Sequence, residues 1–193
     1  MPRTALFQIQ PFNRHRFADS LAYLSAAHNR PLRLYEAVKL HVMSDVFHTV
    51  RTSKPMIGGF LSPFPNGPVV RSAENQFNAW FARYNETGES PEGFTASENQ
   101  YGLLIKSAAP PDVDDFSDAE AAATGAAWDA VIPVLDRSWE DSQDFFHRAS
   151  FIGRAWKSAK NLGTALDWNV ILQEYDRENG TTVSSSIGRL LAI

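Results

Sequence analysis

Three side chains that can bind metals or carry protons, His41, Asp45 and His48, follow one another at spacings of four and three residues. On a helix this spacing places all three along one face. Two imidazoles and a carboxylate are common ligands of zinc and iron and would suit a metal-dependent hydrolase. Because one straight helix usually supplies only two well-placed ligands, we favour a polar seam in which Asp45 orients His48 or caps a neighbouring element. Contact with a partner protein is a third interpretation.

Signatures of the common enzyme classes are absent from the sequence. It contains no Gly-x-Gly-x-x-Gly dinucleotide turn, no phosphate-binding loop, no nucleophile elbow and no His-Glu-x-x-His zinc motif. There is also no cysteine, which excludes disulfides, thiolate metal sites and cysteine nucleophiles. We therefore predict a protein that is not an enzyme and that has no catalytic residues, no metal site and no cofactor.

Acidic side chains are concentrated in the middle of the chain, whereas both flanking regions are mildly basic. The densest group precedes and opens a predicted helix and consists of Asp112, Asp114, Asp115, Asp118 and Glu120. This group lacks the glycine and the closing glutamate of an EF-hand calcium loop, and carboxylates at a helix start stabilise the helix dipole. We interpret these residues as helix-capping and solvated groups, and as a candidate contact for a basic partner.

Arginines in the N-terminal part raise the hypothesis of a helical DNA-binding regulator of its own operon. The residues that could contact phosphates are Arg3, Arg14, Arg16, Arg30 and Arg33. However, the net charge is -4 and the isoelectric point is about 5.7, which is low for a nucleic-acid-binding domain. We expect no nucleic-acid partner and keep the regulator as the alternative function.

Apolar periodicity predicts a mainly α fold, a compact domain of six to seven helices. The strongest pattern spans residues 32–52, where apolar side chains cover more than half of the circumference, so we expect this helix to be buried at the centre of the fold. The other helices are predicted over residues 12–27, 71–84, 117–133, 138–147, 154–160 and 166–177. A chain of 193 residues fits a single domain.

Residues 56–70 cannot form a helix interior because they contain glycines, prolines and an Asn-Gly pair. We predict a short extended piece over residues 57–61 and a turn at Asn66-Gly67-Pro68. The best strand candidate lies at residues 101–106. We expect these two extended pieces to pair as a small two-stranded β element packed on a helix.

An ordered set of short motifs lies between residues 39 and 69. It consists of Lys39-Leu40, Asp45-x-x-His48 and Gly67-Pro68-Val69, and it is followed later by His147 and Trp156-Lys157. The set resembles the signature of the Panacea (SocA-type) antitoxin domain. In that family a central helix that begins Lys-Leu carries Asp-x-x-His and leads through an extended segment to a Gly-Pro-Val turn. The resemblance extends more loosely over about residues 20–175.

This resemblance implies a mostly helical antitoxin that is encoded beside a toxin and neutralises it by direct protein–protein binding. It implies a partner-binding or structural role for the matching residues, which are Lys39, Asp45, His48, Gly67, Pro68, Val69, His147 and Trp156. We expect Gly67 to provide turn geometry, Pro68 to start the helix at residues 71–84 and Val69 to pack that helix. Asp45 and His48 would tie the turn or the extended segment to the central helix.

The surface and the end of the chain suggest further partners. Residues 181–193 are predicted to form a loose tail, whose apolar end from Arg189 to Ile193 is a candidate grip for a cellular protease. Docking of this end on the core is an equal alternative, and a homodimer also stays open. The sequence has neither a secretory signal nor an apolar run of membrane-spanning length, so we expect a cytoplasmic protein without membrane contact.

Overall fold

The computed structural model of the chain describes residues 10–109, 116–164 and 166–184. Within these ranges it contains seven α-helices and five short strands, and the predicted mainly α fold class is confirmed. In chain order the helices are α1 (Arg14–Ala27), α2 (Leu34–Thr52), α3 (Arg71–Thr87), α4 (Asp118–Leu135), α5 (Trp139–Asp144), α6 (Phe151–Leu162) and α7 (Trp168–Asn179), and a π-helical turn (Phe145–Ala149) follows α5 directly.

Helix α1 begins where its sequence offers a capping group. The side chain of Asn13 accepts hydrogen bonds from the backbone N–H groups of His15 and Arg16, which a helix start leaves without intrahelical partners. Phe17, Leu21 and Leu24 recur at helical spacing and are all buried. Burial of this stripe holds α1 against the rest of the core.

Helix α2 is mostly buried, polar residues included. Its apolar members Leu40, Val42 and Met43 are fully enclosed, and its most extensive packing partner is α4. Helix α4 suits this contact because it is rich in alanine, whose small side chain permits close approach. The predicted capping box also opens α4, since Ser117 and Glu120 each accept from the other's backbone N–H.

The β structure is larger than expected and is paired differently. Its strands are β1 (Leu32–Arg33), β2 (Leu61–Phe64), β3 (Gly67–Val70), β4 (Phe94–Asn99) and β5 (Gly102–Ser107). An antiparallel sheet has the order β1-β5-β4, and β2 and β3 form a separate hairpin. The expected pairing of residues 57–61 with residues 101–106 is therefore wrong.

Local hydrogen bonds explain the different pairing. Strand β5 overlaps the predicted strand from Gly102 onward but pairs with β4, to which a tight turn joins it at Gly102 with a φ of +105°. The backbone N–H groups of Ile57 and Gly58 donate instead to a side chain of α2 and are not available to a strand. A periodicity pattern identifies a strand but carries no information on such a competitor for its donors.

The C-terminal half follows the predicted order with shifted boundaries. The helix predicted at residues 138–147 divides into α5 and the π-helical turn. Helix α6 extends beyond the predicted range at both ends, and α7 lies two residues further along the chain than predicted. Gly180 ends α7 in a left-handed conformation, as the Asn-Gly pair indicates. Among the described residues, no helix combines the length and the apolar character needed to cross a membrane.

Candidate functional site

The carboxylate of Asp45 holds the chain segment that follows α2. Its Oδ1 atom accepts from the N–H groups of Met56 at 2.9 Å and Ile57 at 2.7 Å, and its Oδ2 atom accepts from that of Gly58 at 2.8 Å. Asp45 is buried, so these charge-assisted bonds replace its lost hydration. The three bonds fix three consecutive residues against the helix.

The two histidines of the motif bind the same segment. Nδ1 of His48 lies 2.8 Å from the carbonyl oxygen of Lys54, and Nε2 of His41 lies 3.1 Å from that of Gly58 and 3.2 Å from Oδ2 of Asp45. These are the contacts of a hydrogen-bonded polar seam. The described part of the chain contains no group of three or more His, Cys, Asp or Glu side chains arranged to hold a metal ion.

Two side-chain donors from different helices hold the β2–β3 hairpin. Nζ of Lys39 in α2 donates to the carbonyl oxygen of Pro68 at 2.9 Å, and Nε1 of Trp156 in α6 donates to that of Phe64 at 2.8 Å. Pro63 and Pro68 face each other in the hairpin register and have no N–H to donate. The short hairpin therefore has few backbone hydrogen bonds between its strands, and the two side-chain donors add hydrogen bonds to its carbonyl groups.

The Gly-Pro-Val motif is strand rather than helix start. Gly67 has a φ of +93°, and a Cβ atom there would lie 2.9 Å from Cβ of Phe146 and 3.0 Å from Nζ of Lys39. Only glycine fits this position without strain. The expectation that Pro68 starts the next helix is wrong, because Pro68 and Val69 lie in β3 and α3 begins at Arg71.

The ammonium group of Lys39 is fully buried beside this turn. It lies 5.1 Å from the ring centroid of Tyr35 and 5.0 Å from that of Phe146, both of which favour a cation electrostatically. Burial nevertheless lowers the pKa of Lys39 to about 7, although the charge of Glu74 opposes the change. A side chain that titrates near neutral pH thus supports the hairpin.

His147 lies in the π-helical turn and stacks on Trp156, with ring centroids 4.1 Å apart. Burial lowers the pKa of His147, and the charges of Lys39 and Lys160 lower it further, against a hydrogen bond with the Pro65 backbone. The predicted signature residues thus form two groups. Gly67, Pro68 and Val69 lie in the hairpin, and Lys39, His147 and Trp156 contact it. Asp45 and His48 hold the segment that leads into it.

An open groove of about 660 Å³ lies between the hairpin tip and α5. We call it the aromatic groove, and its lining comes from β1, α2, the hairpin, α3, the β4–β5 turn and the α4–α5 region. Its volume is in the range of roughly 300–1,000 Å³ that is usual for ligand sites. The lining consists of Arg33, Leu34, Tyr35, Val38, Phe64, Pro65, Asn66, Val69, Glu74, Tyr101, Leu135, Ser138, Trp139 and Ser142.

Two aromatic side chains of this groove are exposed. Tyr101 is 70% exposed and Trp139 is 54% exposed, although large apolar side chains are normally buried. The Trp139 ring lies 5.3 Å from that of Tyr35, whose hydroxyl group bridges α5 and the hairpin through Ser142 at 3.1 Å and the carbonyl oxygen of Asn66 at 3.4 Å. The hairpin tip and α5 are therefore tied together beneath an aromatic surface.

Sequence reasoning missed Tyr35, Tyr101 and Trp139. For two of these residues the sequence carries a positional signal. Tyr101 directly precedes a turn glycine, and Trp139 directly follows the helix cap Ser138. Aromatic residues next to turn and cap residues lie where the chain is exposed. That signal identifies each residue separately but does not predict that they line one groove.

Three residues of the predicted acidic contact, Asp112, Asp114 and Asp115, lie outside the described residues. Asp118 is exposed in the first turn of α4. Burial disfavours the charged form of Glu120, but hydrogen bonds from Ser117 and the charge of Arg16 outweigh it and lower the pKa of this carboxyl. Glu120 therefore serves the helix cap.

Of the five arginines proposed for phosphate contact, Arg3 lies outside the described residues and three others are paired with carboxylates. Arg16 lies 3.4 Å from Glu120, and Arg30 contacts Asp136 at 2.6 Å and Glu36 at 2.7 Å. Arg33 also contacts Glu36, at 2.8 Å. Their charges are neutralised within the fold, which reduces the positive field available to a nucleic acid.

Comparison of the chain with protein-family models, with curated proteins and with solved structures finds no match in any of the three.

Proposed function

We propose that this protein is an antitoxin that neutralises a cognate toxin by direct binding, and that the aromatic groove is its contact surface. The observation that carries the proposal is the pair of exposed aromatic residues, Tyr101 and Trp139, at one groove. Tyrosine, tryptophan and arginine contribute most of the binding energy at protein–protein interfaces. Arg33 lines the same groove, so all three residue types are present there.

Support for the groove comes from the motif that suggested an antitoxin. The side chains of Lys39 and Trp156 hold the hairpin whose tip borders the groove. Only glycine fits at position 67 of this hairpin without strain. In this proposal α2 is the central support of the domain and the motif residues position the hairpin. Binding loops on a rigid base lose little entropy when a partner is bound.

The proposal extends to the setting of the interaction. The antitoxin acts in the cytoplasm on a toxin encoded by the neighbouring gene. A homodimer that buries the same groove would compete with the toxin, because one surface cannot bind both partners. Degradation of the free antitoxin by a cellular protease would make neutralisation depend on continued synthesis.

Co-expression with the product of the adjacent gene tests this function. We expect the chain to restore growth to cells that express the toxin and to elute with it as one complex in size-exclusion chromatography. A chain that carries both Tyr101→Ala and Trp139→Ala should fail in both assays while remaining folded. The matched control is Phe60→Ala, since Phe60 is 51% exposed but does not line the groove. The proposal is refuted if the unaltered chain neither restores growth nor forms a complex with the gene product.

The contacts of the described residues favour neither alternative function. A metal-dependent hydrolase needs Asp45 as a ligand, yet both oxygen atoms of Asp45 accept backbone hydrogen bonds. A DNA-binding regulator needs unpaired cations, yet Arg16, Arg30 and Arg33 are paired.

A further inference from the structure

We propose that the aromatic groove binds an extended, proline-containing segment of its partner that carries a lysine or arginine at one end. This inference rests on the proposed function, because it names the part of the toxin that the groove would recognise.

The rings of the groove suit proline side chains. Tyr35 and Trp139 meet with ring centroids 5.3 Å apart and planes inclined at 48°, and Phe64 and Tyr101 add further ring surface. Aromatic-lined grooves bind polyproline II segments, which are already extended and lose little entropy on binding. Pyrrolidine rings pack flat on such surfaces, whereas a helix of about 10 Å diameter needs a broader apolar trough.

The hydrogen-bond donors of the groove point to the same class of ligand. The indole N–H of Trp139 and the hydroxyl group of Tyr101 donate to no described residue. A proline-containing segment presents carbonyl oxygens and few N–H groups, so it needs donors of this kind.

Addition of a β-strand is disfavoured at this groove. The edge of β1 reaches the groove at Arg33, but the Arg33 N–H already donates to Oε2 of Glu36 at 2.9 Å. A strand that binds an edge requires main-chain donors as well as acceptors along that edge. The occupied N–H of Arg33 removes a donor from an edge that is two residues long.

The charges around the groove select a basic ligand. Arg33 is its one lining cation among the described residues, and Glu36 neutralises it at 2.8 Å. Glu74 lines the groove, and Glu140 and Asp141 directly follow Trp139 and are exposed. The charge of Glu74 is opposed by the buried Lys39, so Glu140 and Asp141 in the first turn of α5 are the carboxylates that face a ligand. These two exposed carboxylates favour a lysine or arginine beside the prolines.

Titration with a labelled peptide tests this inference on the full-length chain. The probe is a synthetic peptide of two Pro-x-x-Pro repeats flanked by lysines, and its matched control has every proline replaced by alanine. We expect fluorescence anisotropy to show saturable binding of the proline peptide, with the alanine peptide about tenfold weaker or worse because it must first be ordered. Equal binding of the two peptides, or binding of neither, would overturn the inference.

Variants of Trp139 separate its ring from its N–H group. Trp139→Phe keeps a ring but removes the donor and should weaken the proline peptide about five- to tenfold, whereas Trp139→Ala should weaken it more than about thirtyfold. Phe60→Ala should leave the affinity unchanged. Since Trp139 is exposed at the start of a short helix, the same melting temperature for all variants checks that the fold is intact. Unchanged affinity for Trp139→Ala would contradict the inference.

The outcomes keep this inference apart from the antitoxin proposal. If the toxin binds and loses affinity with Trp139→Ala while the proline peptide does not bind, the antitoxin proposal stands and the ligand class is wrong. If the proline peptide binds in the groove but the adjacent gene product neither binds nor is neutralised, the ligand class stands and the antitoxin proposal is wrong. Replacing the lysines of the peptide by glutamates should abolish binding, and unchanged affinity would contradict the charge argument.

Discussion

The carboxylate of Asp45 accepts backbone hydrogen bonds from Met56, Ile57 and Gly58 and so fixes the path of the chain after α2. The residue types alone allowed a metal ligand, a structural seam or a contact with a partner protein. The choice between them depends on which backbone groups reach the carboxylate, and that depends on how residues 54–58 turn back along the helix. Spacing within α2 predicts a shared face for His41, Asp45 and His48 but carries no information on that path.

We predict that Asp45→Ala destabilises the fold by about 3–5 kcal/mol, because it leaves three N–H groups unpaired where Asp45 was buried. Urea unfolding followed by circular dichroism measures this change. Asp118→Ala is the control, since Asp118 is exposed in the first turn of α4 and its loss should cost less than about 1 kcal/mol. Similar losses for the two variants would mean that the seam does not hold the segment.

The buried Lys39 predicts a pH dependence of stability. Its pKa is about 7 in the folded chain, compared with an ordinary value of 10.5, so between these values the unfolded chain binds a proton that the folded chain does not. Stability therefore rises with pH across this window, by a total on the order of 5 kcal/mol. Below about pH 7 both states are protonated and the full cost of the buried charge is present.

Lys39→Met tests this linkage because methionine is similar in size and carries no charge. We expect the unfolding free energy of the natural chain to rise relative to that of Lys39→Met between about pH 7 and pH 10. His147 titrates below this window, since burial and nearby lysine charges lower its pKa from 6.5. Urea unfolding at a series of pH values measures both proteins, and parallel profiles would contradict the assignment.

Among the structural elements, the β2–β3 hairpin depends most on a single backbone position. We predict that Gly67→Ala costs more than about 2 kcal/mol, because its φ of +93° is unfavourable for alanine and the added Cβ atom would approach Phe146 at 2.9 Å. Gly88→Ala is the matched control, with a φ of +71° and no neighbouring atom within 4 Å, and should cost about 1 kcal/mol. Thermal unfolding compares the two variants. An equal loss would show that the close approach to Phe146 is unimportant.

The helices were more predictable from sequence than the strands. Asn13, Ser117 and Gly180 are local signals, and each marks a helix boundary in the structure because capping depends on neighbouring residues. Strand pairing depends on distant residues. Asp45 occupies the N–H groups of residues 56–58, and β4 is mostly polar and exposed, so neither a competitor nor a partner for the predicted strand was visible in a local pattern.

The candidate site was predictable only in part for the same reason. Lys39, Gly67 and Trp156 were identified as motif residues, and the structure brings them to one hairpin. The groove above them joins side chains from six parts of the fold, including the turn before β5 and the start of α5. Its lining is a property of the tertiary packing, so Tyr101 and Trp139 could not be grouped from the sequence.

At the scale of the whole molecule, the buried motif and the exposed groove have different expected roles. The motif residues hold the hairpin, so their replacement should lower stability and thereby binding. Tyr101 and Trp139 are exposed, so their replacement should lower binding without lowering stability. This separation distinguishes a binding surface on a rigid base from a groove that is incidental to the fold.

The most direct test of the account is calorimetric titration of the adjacent gene's product into the natural chain, Trp139→Ala, Tyr101→Ala and Phe60→Ala. We predict that Trp139→Ala and Tyr101→Ala each weaken binding by about 2 kcal/mol or more, roughly thirtyfold, with unchanged melting temperatures. Phe60→Ala should bind as the natural chain does. Full affinity in both groove variants, or an equal loss in Phe60→Ala, would contradict the assignment of the aromatic groove as the toxin-binding surface.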